Sequence, residues 1–575
     1  MNRSRTLLDY TNSMRLSRDR LRELLLLGGL CGFFFFFRLS GIGLLGPDEP
    51  RYAQVAREMM ARHTWVTPYL YGHTWLEKPI LLYWAEIVSF RLFGIADWAA
   101  RVPSAAMATV MCIGVFLFVR RIRHAARLDA AMMVASGVLV LGFARAAATD
   151  MPLAAPFTLG LLAWFAWYQS EFEAADDGVT RLPYSRLLLA LFYAMIAVAA
   201  LAKGPVAPGL AALVVIAFCL LRGAPRAIWR TLDPLGIVVF LAVALPWYVA
   251  VQRETPEFFH VFFLQHNLAR FGSNLYRHRQ PFWYYLPVAL AGTLPWTVWL
   301  LHGLSDAWRA ARQRLITNED EPGYTFEIFL ATWGLLPIIF FSLSRSKLPG
   351  YILPGIPALL MLGATAIHRR AGWEEPPRRV SILLHAALLG VLGAALIVAP
   401  RVVFHIHLTA GVLAAAAAAF AVIFLIVALP LVRLGWPMLR FVTLLPMILL
   451  VGFLLRGLAP ALDATQSSRP VAQLLAALDE PGARPLATFG VSRNLALGLA
   501  FYLDCRVAPY EGLAVSPAVY ELPAAVPAAE HILVLRAGAM TSLKALIGQR
   551  TVIYLGEDRA ARVEIYRIGA ATALP

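Results

Sequence analysis

The sequence predicts an α-helical membrane protein that crosses the bilayer many times and ends in a small α/β domain. Of its 575 residues, 59% are hydrophobic and 15% are charged, and the mean hydropathy is +0.65. Because about 20 apolar residues span a bilayer core, the apolar runs that recur from Leu24 to Ala459 predict membrane helices. This composition excludes a soluble multidomain protein.

Residues 1–458 are predicted to form the membrane domain, with about thirteen spans. The first span follows an arginine-rich N-terminal segment and ends in five phenylalanines, Phe33 to Phe37, with no cleavage site after it. The others are expected at 102–119, 129–146, 151–168, 187–202, 206–221, 234–251, 282–303, 326–343, 351–367, 380–400, 407–431 and 437–457. The basic N-terminal segment is expected in the cytoplasm, so an odd number of spans places the C-terminus outside it. The arginine-rich short loops then obey the positive-inside rule.

Residues 49–93 are predicted to form two juxtamembrane helices on the outer face. The stretch from Arg51 to Arg62 has a helical period with an apolar side and a polar side, as expected of a helix that lies along the interface. Pro79 to Phe93 is more apolar, but it contains Glu86 and is short for a span.

Residues 459–575 are predicted to form the α/β domain outside the membrane. Helical and strand-like segments alternate there, ending in the strands TVIYLG and VEIYRIG. LVLRAG lacks a phosphate-binding glycine pattern, so no chemistry is assigned to this domain.

The formal net charge is +16, and a charge of this size could indicate a protein that binds nucleic acid. The basic residues lie in short loops between apolar runs, however, so membrane topology and anionic lipid explain the charge better than nucleic acid does. Three of the four cysteines fall inside apolar runs, and their spacing predicts neither a disulfide framework nor a cysteine metal site.

The segment GPDEPRYAQVAREM places two acids, Asp48 and Glu49, between Pro47 and Pro50, directly after the first span. Asp48 is a good N-cap, and Pro50 fits the first turn of a helix. The segment is therefore either an ordinary capped helix start or a device that positions a functional acid.

Further charged residues lie at the outer ends of predicted spans. Positive charge is disfavoured on that face for topology, so its abundance favours an anionic substrate, and phosphate matches lysine and arginine well. The alternative is a set of solvated loop residues. The candidate phosphate-binding residues are Arg51, Lys78, Lys203, Arg270, Arg279 and Lys347.

The order of the motifs PDEPRYA, EKP, ATDMP, LAKGP and SKLPGYILP resembles the membrane glycosyltransferases of the GT-C fold. Within that fold, the sequence is most similar to the aminoarabinose transferase family that modifies lipid A. The resemblance covers nearly the whole membrane domain. Ile80 is a departure, because relatives often carry a second proline after EKP.

The resemblance implies transfer of 4-amino-4-deoxy-L-arabinose from undecaprenyl phosphate to lipid A phosphate, on the periplasmic face of a Gram-negative inner membrane. Such a modification confers resistance to polymyxin-type peptides. Asp48 matches the essential acid of the first loop, Asp150 the second acid, and Glu77 and Lys78 the EKP motif. Tyr351 is assigned to the substrate site, and Tyr83 is a candidate for lining a polyprenyl groove or for an interfacial aromatic position.

The residues leave two roles open for Asp48. An acceptor phosphate is already ionised near neutral pH and needs no base, so Asp48 would orient the amino sugar or stabilise positive charge at the reacting carbon. With a hydroxyl acceptor, Asp48 would be the base. No cofactor is required, although Glu77 with His260 or His266 is a weaker candidate for a divalent metal site.

The sequence also fits two rival functions. The first is a GT-C transferase that moves another polyprenyl-phosphate-linked sugar to a protein or glycan hydroxyl. The second is a flippase for a lipid-linked sugar, which would be expected to contain internal repeats and broken helices near mid-membrane. Neither feature is visible in the sequence.

Overall fold

A computed structural model describes residues 19–173, 184–269, 280–317, 323–372, 376–403, 407–478, 484–516 and 520–571. The chain is mostly helical, with one five-stranded sheet near the C-terminus. The predicted fold class, a polytopic helical protein with a small C-terminal α/β part, is confirmed.

Nine helical segments of the described residues are long and apolar enough to cross a membrane. They are α4 (Asp97–Ile122), α7 (Asp150–Tyr168, continued to Glu173), α8 (Ser185–Lys203), α11 (Pro234–Glu254), α14 (Thr325–Ser342), the segment Pro349–Gly372 containing α15 (Ile356–Gly372), α16 (Arg379–Val403), α17 (Ala410–Leu434), and the segment Trp436–Gln466 containing α18 (Trp436–Phe453) and α19 (Ala459–Gln466).

Two bent helix pairs raise this number to eleven if each pair is one span. The first joins His124–Ser136, which contains α5 (Arg127–Ser136), to α6 (Val138–Ala144) at 63°, and the second joins Phe282–Gly292, which contains α12 (Tyr285–Gly292), to α13 (Thr297–Thr317) at 116°. The remaining predicted runs are also helical, as α1 (19–31) and the shorter α9 (Val206–Leu221). Each predicted run is therefore helical in the structure. Several of these helices, however, are bent or are too short to count as a straight membrane span.

Two helices and a small hairpin follow α1. Helix α2 is Asp48–Ala61, helix α3 is Leu81–Phe93, and strands β1 (Tyr69–Leu70) and β2 (His73–Thr74) pair antiparallel between them. The sequence predicts that α2 lies along the membrane interface, with Arg51 and Gln54 on its polar side. Both of these residues are buried. The C-terminal part of the chain packs over that side.

The C-terminal sheet has the strand order β4-β3-β7-β9-β8. Strand β3 (Leu486–Phe489) is parallel to β4 (Val507–Pro509) and β7 (His531–Arg536), and β9 (Val563–Ile568) is antiparallel to β7 and β8 (Val552–Asp558). A separate hairpin joins β5 (Leu513–Ser516) to β6 (Tyr520–Leu522). The associated helices are α20 (Arg469–Leu478), α21 (Arg493–Leu503) and α22 (Met540–Ile547), and a short α10 (Pro225–Thr231) lies in the membrane part.

One continuous hydrophobic core joins α2 and α3 to the C-terminal sheet and α21. Polar contacts reinforce it: the Leu44 N–H donates to the Tyr502 hydroxyl at 2.9 Å, and Arg469 pairs with Asp97 at 2.8 Å and with Asp463 at 2.6 Å. The C-terminal domain is thus fixed against the first loop rather than attached only through the chain.

Candidate active site

Asp48 is the first residue of α2, and its carboxylate is held by an arginine one turn further on. Its Oδ1 accepts a hydrogen bond from Arg51 Nη2 at 2.6 Å, and the side chain is 51% exposed. The predicted N-cap role is wrong: Pro47 occupies the cap position, and no side-chain cap bond forms. Pro50 has no N–H to offer a capping carboxylate at position 48, so that carboxylate is available for Arg51 instead.

Arg51 is a buried cation that lies between two acids. Its side chain is 5% exposed, and Nη2 also lies 3.9 Å from Glu77 Oε2. Its guanidinium lies over the rings of Tyr52 and Trp75, and Nη1 donates to the Val515 carbonyl at 3.1 Å. Burial lowers the pKa of Arg51, but the Glu77 and Asp48 carboxylates outweigh burial and the net pKa is raised.

The EKP motif completes this group, which we call the first-loop cluster: Asp48, Arg51, Glu77 and Lys78. Lys78 Nζ lies 3.7 Å from Glu77 Oε1, and both side chains are largely buried. Glu77 therefore faces a cation on each side, whereas Asp48 is half-exposed. Asp48 is the acid of this cluster that a ligand can reach.

Glu49 has a different environment from its neighbour Asp48. Arg101 binds its carboxylate with two hydrogen bonds, Nε to Oε1 at 3.0 Å and Nη2 to Oε2 at 2.6 Å. The N–H groups of Leu45 and Ala147 donate to the same carboxylate at 2.6 and 2.8 Å. Glu49 is 7% exposed, so it ties the first loop to the chain three residues before Asp150.

Asp150, Lys203 and Tyr351 form a second cluster. Lys203 Nζ lies 2.6 Å from Asp150 Oδ1 and 5.2 Å from the centre of the Tyr351 ring. Asp150 begins α7 and Lys203 ends α8, which are the positions where helix dipoles favour an acid and a base. The structure therefore joins the ATDMP, LAKGP and SKLPGYILP motifs at one place.

Gly350 is required by this second cluster. A Cβ atom at Gly350 would clash with Asp150 Oδ1 and would lie 2.7 Å from the Phe143 ring. The glycine of the SKLPGYILP motif thus lets the backbone pass against the carboxylate that binds Lys203.

Two other predicted site residues lie in the interior. Lys347 is buried, its Nζ donates to the Ser344 carbonyl, and burial lowers its pKa. Tyr83 is also fully buried, with its ring edge-on to Tyr52 at 6.2 Å, and burial raises its pKa. Arg270 and Arg279 lie outside the described residues, as does the side chain of His266.

No group of three or more His, Cys, Asp or Glu side chains in the described part of the chain could hold a metal ion. Glu77 lies against Arg51 and Lys78, and His260 lines an apolar cavity. The metal site at Glu77 stays a prediction.

That cavity has a volume of about 970 Å³ and lies between α8, α9, α11 and the segment after α11. Its walls are mainly apolar, and they include Gly204, the residue after Lys203. Its lining includes Pro208, Phe240, Tyr248, Phe259 and His260. An apolar chain in this cavity would lie against the turn that follows Lys203 of the second cluster.

Sequence reasoning missed three contributors to the two clusters: Arg101, Gly350 and the Val515 carbonyl. Arg101 carries a recognisable signal, since it is a charged residue near the outer end of a predicted span. Val515 carries none, because a backbone carbonyl from a position more than 400 residues away leaves no mark in composition.

Comparison with known proteins places the chain among membrane glycosyltransferases. Residues 42–262 match the family described as dolichyl-phosphate-mannose-protein mannosyltransferase. An undecaprenyl phosphate-α-4-amino-4-deoxy-L-arabinose arabinosyl transferase from Aeromonas salmonicida is 30% identical over 418 residues, which are 72% of this chain and 70% of that protein. A protein of the same name from Pseudomonas aeruginosa is 33% identical over 62% of this chain and 61% of its own length.

Another protein of that name, from Erwinia tasmaniensis, is 29% identical over 67% of this chain and 66% of its own length. The chain thus spans slightly less than two thirds of some of these relatives. The crystal structure of ArnT from Cupriavidus metallidurans bound to undecaprenyl phosphate aligns over 96% of this chain and 99% of that chain, with a TM-score of 0.73 and 26% identity. The chain belongs to the undecaprenyl phosphate-α-4-amino-4-deoxy-L-arabinose arabinosyl transferase family, whose members are membrane glycosyltransferases of the GT-C fold.

Proposed function

We propose that the protein transfers 4-amino-4-deoxy-L-arabinose from undecaprenyl phosphate to a phosphate of lipid A, at the periplasmic face of a Gram-negative inner membrane. The observation that carries this proposal is the meeting of a charged cluster and an apolar cavity at one turn, Lys203–Gly204. A polyprenyl phosphate has the matching form, with a long apolar chain and an anionic head. The alignment with a relative bound to undecaprenyl phosphate supports the same donor.

The leaving group of this reaction is the donor's lipid phosphate, whose negative charge grows as the sugar bond breaks. Lys203 and Lys78 are the described cations that would bind it, and Arg270 is a further predicted one. Preorganised donors of this kind are each worth about 2.7–4 kcal/mol in the transition state. Asp150 and Glu77 hold the two lysines in place.

The acceptor is an ionised phosphate, so the reaction needs no general base. The bond between the sugar's anomeric carbon and the donor phosphate oxygen breaks, and an acceptor phosphate oxygen forms the new bond to that carbon. Arg51 occupies Asp48 Oδ1, and no described residue donates to Oδ2. Oδ2 then attracts the sugar's ammonium group or the positive charge that develops at the anomeric carbon.

Transfer to lipid A adds a positive amine to an anionic surface, so cells would bind cationic peptides such as polymyxin less well. The proposal also places the N-terminus in the cytoplasm and the C-terminal domain in the periplasm. A hydroxyl acceptor, as in the protein mannosyltransferases, would instead require Asp48 to act as a base.

Mass spectrometry of lipid A tests this function in cells that make the donor but lack their own transferase. Expression of the protein is expected to place aminoarabinose on lipid A phosphates and to raise polymyxin resistance. An inactive variant expressed at the same level is the control. Unmodified lipid A in the presence of both protein and donor would overturn the proposal.

Gly350→Ala is expected to reduce transfer about 10- to 100-fold, because the added methyl group displaces Asp150 and with it Lys203, and small misplacements in a site have effects of this size. Gly142→Ala is the matched control, since a Cβ atom at Gly142 meets nothing within 4 Å. Initial rates at saturating donor, measured on purified variants with equal melting temperatures, make the comparison. Equal rates for the two variants would show that transfer does not depend on the Gly350–Asp150 contact.

A further inference from the structure

A second cavity lies at the opposite end of the membrane helices from the two clusters. Near its outer end, helix α4 carries Arg101, which binds Glu49, and the helix has 26 residues, so it is about 39 Å long. Helix α5 begins just beyond the far end of α4, and its residue Asp129 lines the second cavity. The clusters and this cavity are therefore separate sites. With the proposed topology, the face that contains the cavity is cytoplasmic.

This cavity, which we call the Asp129 cavity, has a volume of about 440 Å³, within the range of sites that bind small molecules. Its apolar walls include Met132, Trp296, Trp436 and Leu444. Two further lining residues, Pro437 and Ala371, are exposed and half-buried respectively, so the cavity opens where α18 begins and α15 ends. An apolar cavity that opens at the end of membrane helices has the shape and the position to receive a lipid chain.

One polar group lines this apolar space. Arg440 donates from Nε to Asp129 Oδ1 at 2.6 Å and from Nη2 to Asp129 Oδ2 at 2.9 Å, and His368 Nε2 lies 2.6 Å from the same Oδ2. All three side chains are part of the cavity wall. Both Asp129 oxygens are thus occupied, whereas none of the residues that the structure describes accepts from Arg440 Nη1. The guanidinium therefore has a donor left for an anion in the cavity.

Basic side chains outnumber acids around the end of α15, which forms part of the cavity wall. Two acids there, Asp306 and Glu327, are each paired with two arginines. The pairs are Asp306 with Arg309 and Arg370, and Glu327 with Arg123 and Arg369. Exposed Arg433 lies just before Trp436 in the chain. Such an excess of positive charge attracts the anionic lipids of a cytoplasmic leaflet.

We propose that the Asp129 cavity binds an anionic phospholipid of the cytoplasmic leaflet. Its phosphate accepts from Arg440 Nη1, and the upper part of an acyl chain lies against Trp436 and Leu444. A free phosphate ion would use the arginine but not the apolar walls, so the combination of the two favours a lipid. The proposal uses the topology given for the chain, but neither the sugar donor nor lipid A takes part in it.

Thermal unfolding of the full-length protein, freed of lipid in detergent, tests this site. Dioctanoyl phosphatidylglycerol is expected to raise the melting temperature in a saturable way, because a ligand that binds only the folded state stabilises that state. Dioctanoyl phosphatidylcholine has the same chains without the net negative charge, and inorganic phosphate has the charge without the chains. Neither of them is expected to change the melting temperature at the concentration where phosphatidylglycerol saturates.

Two variants test the position of the lipid. Ala371→Trp places a large side chain in the cavity wall and should abolish the shift caused by phosphatidylglycerol. Arg440→Lys keeps a positive charge beside Asp129 but loses the forked guanidinium, so the affinity for phosphatidylglycerol should fall about 10-fold. Ala415→Trp is the matched control for the added bulk, because Ala415 is exposed on α17, and its variant should keep the full shift.

The proposal is overturned if phosphatidylglycerol gives no saturable shift, or if phosphatidylcholine or inorganic phosphate gives an equal one. An unchanged affinity in either Ala371→Trp or Arg440→Lys also overturns it, because the lipid then binds elsewhere. If Ala371→Trp does not fold, Arg440→Lys decides alone. No sugar transfer enters these measurements, so their outcome does not depend on whether the proposed reaction takes place.

Discussion

Asp48→Asn is expected to lower transfer by about 100-fold or more, in a protein that still folds and inserts into the membrane. Asn keeps the shape of the side chain and can still accept a hydrogen bond from Arg51, but it removes the negative charge that the ammonium group or the reacting carbon requires. Because the side chain is half-exposed, the substitution has little effect on packing. Initial rates of transfer and melting temperatures are the measurements.

Asp504→Asn is the matched control for this substitution. Asp504 is also an exposed acid paired with an arginine, Arg57, at 2.7 Å, and it has a left-handed backbone that asparagine accepts readily. Its variant should keep activity within about twofold of the wild type. A folded Asp48→Asn variant with normal activity would exclude Asp48 from the reaction.

Arg101→Met is expected to destabilise the fold by about 3–5 kcal/mol, because it leaves the buried Glu49 carboxylate without its cation. Glu49 then keeps only the N–H groups of Leu45 and Ala147. The variant should give a low yield of monodisperse protein and a clearly lower melting temperature. Adding Glu49→Gln should restore part of the stability, because the double variant has no buried carboxylate that lacks a cation.

Arg186→Met is the control, because the Arg186 side chain is 73% exposed in its pair with Asp233. Exposed pairs contribute about 0–1 kcal/mol, so its melting temperature should hardly change. If Arg101→Met and Arg186→Met have equal melting temperatures, Glu49 does not depend on Arg101 for its burial.

The helical fold could be predicted because the signal is local and strong. Long apolar runs and alternating segments predicted each membrane run and the principal strands of the sheet. The short strands β4, β5 and β6 were missed, since three or four residues such as Val507–Pro509 carry too little periodicity. The bends at 63° and 116° also escaped prediction, because apolar composition continues through them.

The sequence picked out the charged side chains that the two clusters contain, but it did not indicate how each of them is paired. Charged residues at the outer ends of spans identified Asp48, Glu77, Asp150 and Lys203. The different environments of Asp48 and Glu49 depend on Arg101, which lies 52 residues further along the chain. Composition does not record such long-range pairing.

Burial explains the remaining differences at the site. Lys347 and Tyr83 lie in or next to motifs that contribute residues to the two clusters, but both side chains are buried in the interior. Nothing local in the sequence indicated that the C-terminal domain would pack over the polar side of α2. The C-terminal domain, which the sequence left without a role, supplies contacts to the first-loop cluster.

Reconstitution with purified components tests the central claim most directly. The protein is incubated with undecaprenyl-phosphate-linked 4-amino-4-deoxy-L-arabinose and lipid A, and both lipids are followed by mass spectrometry. Each undecaprenyl phosphate released is expected to be matched by one aminoarabinose on a lipid A phosphate. Donor that stays intact, or sugar found on a hydroxyl instead of a phosphate, would contradict it.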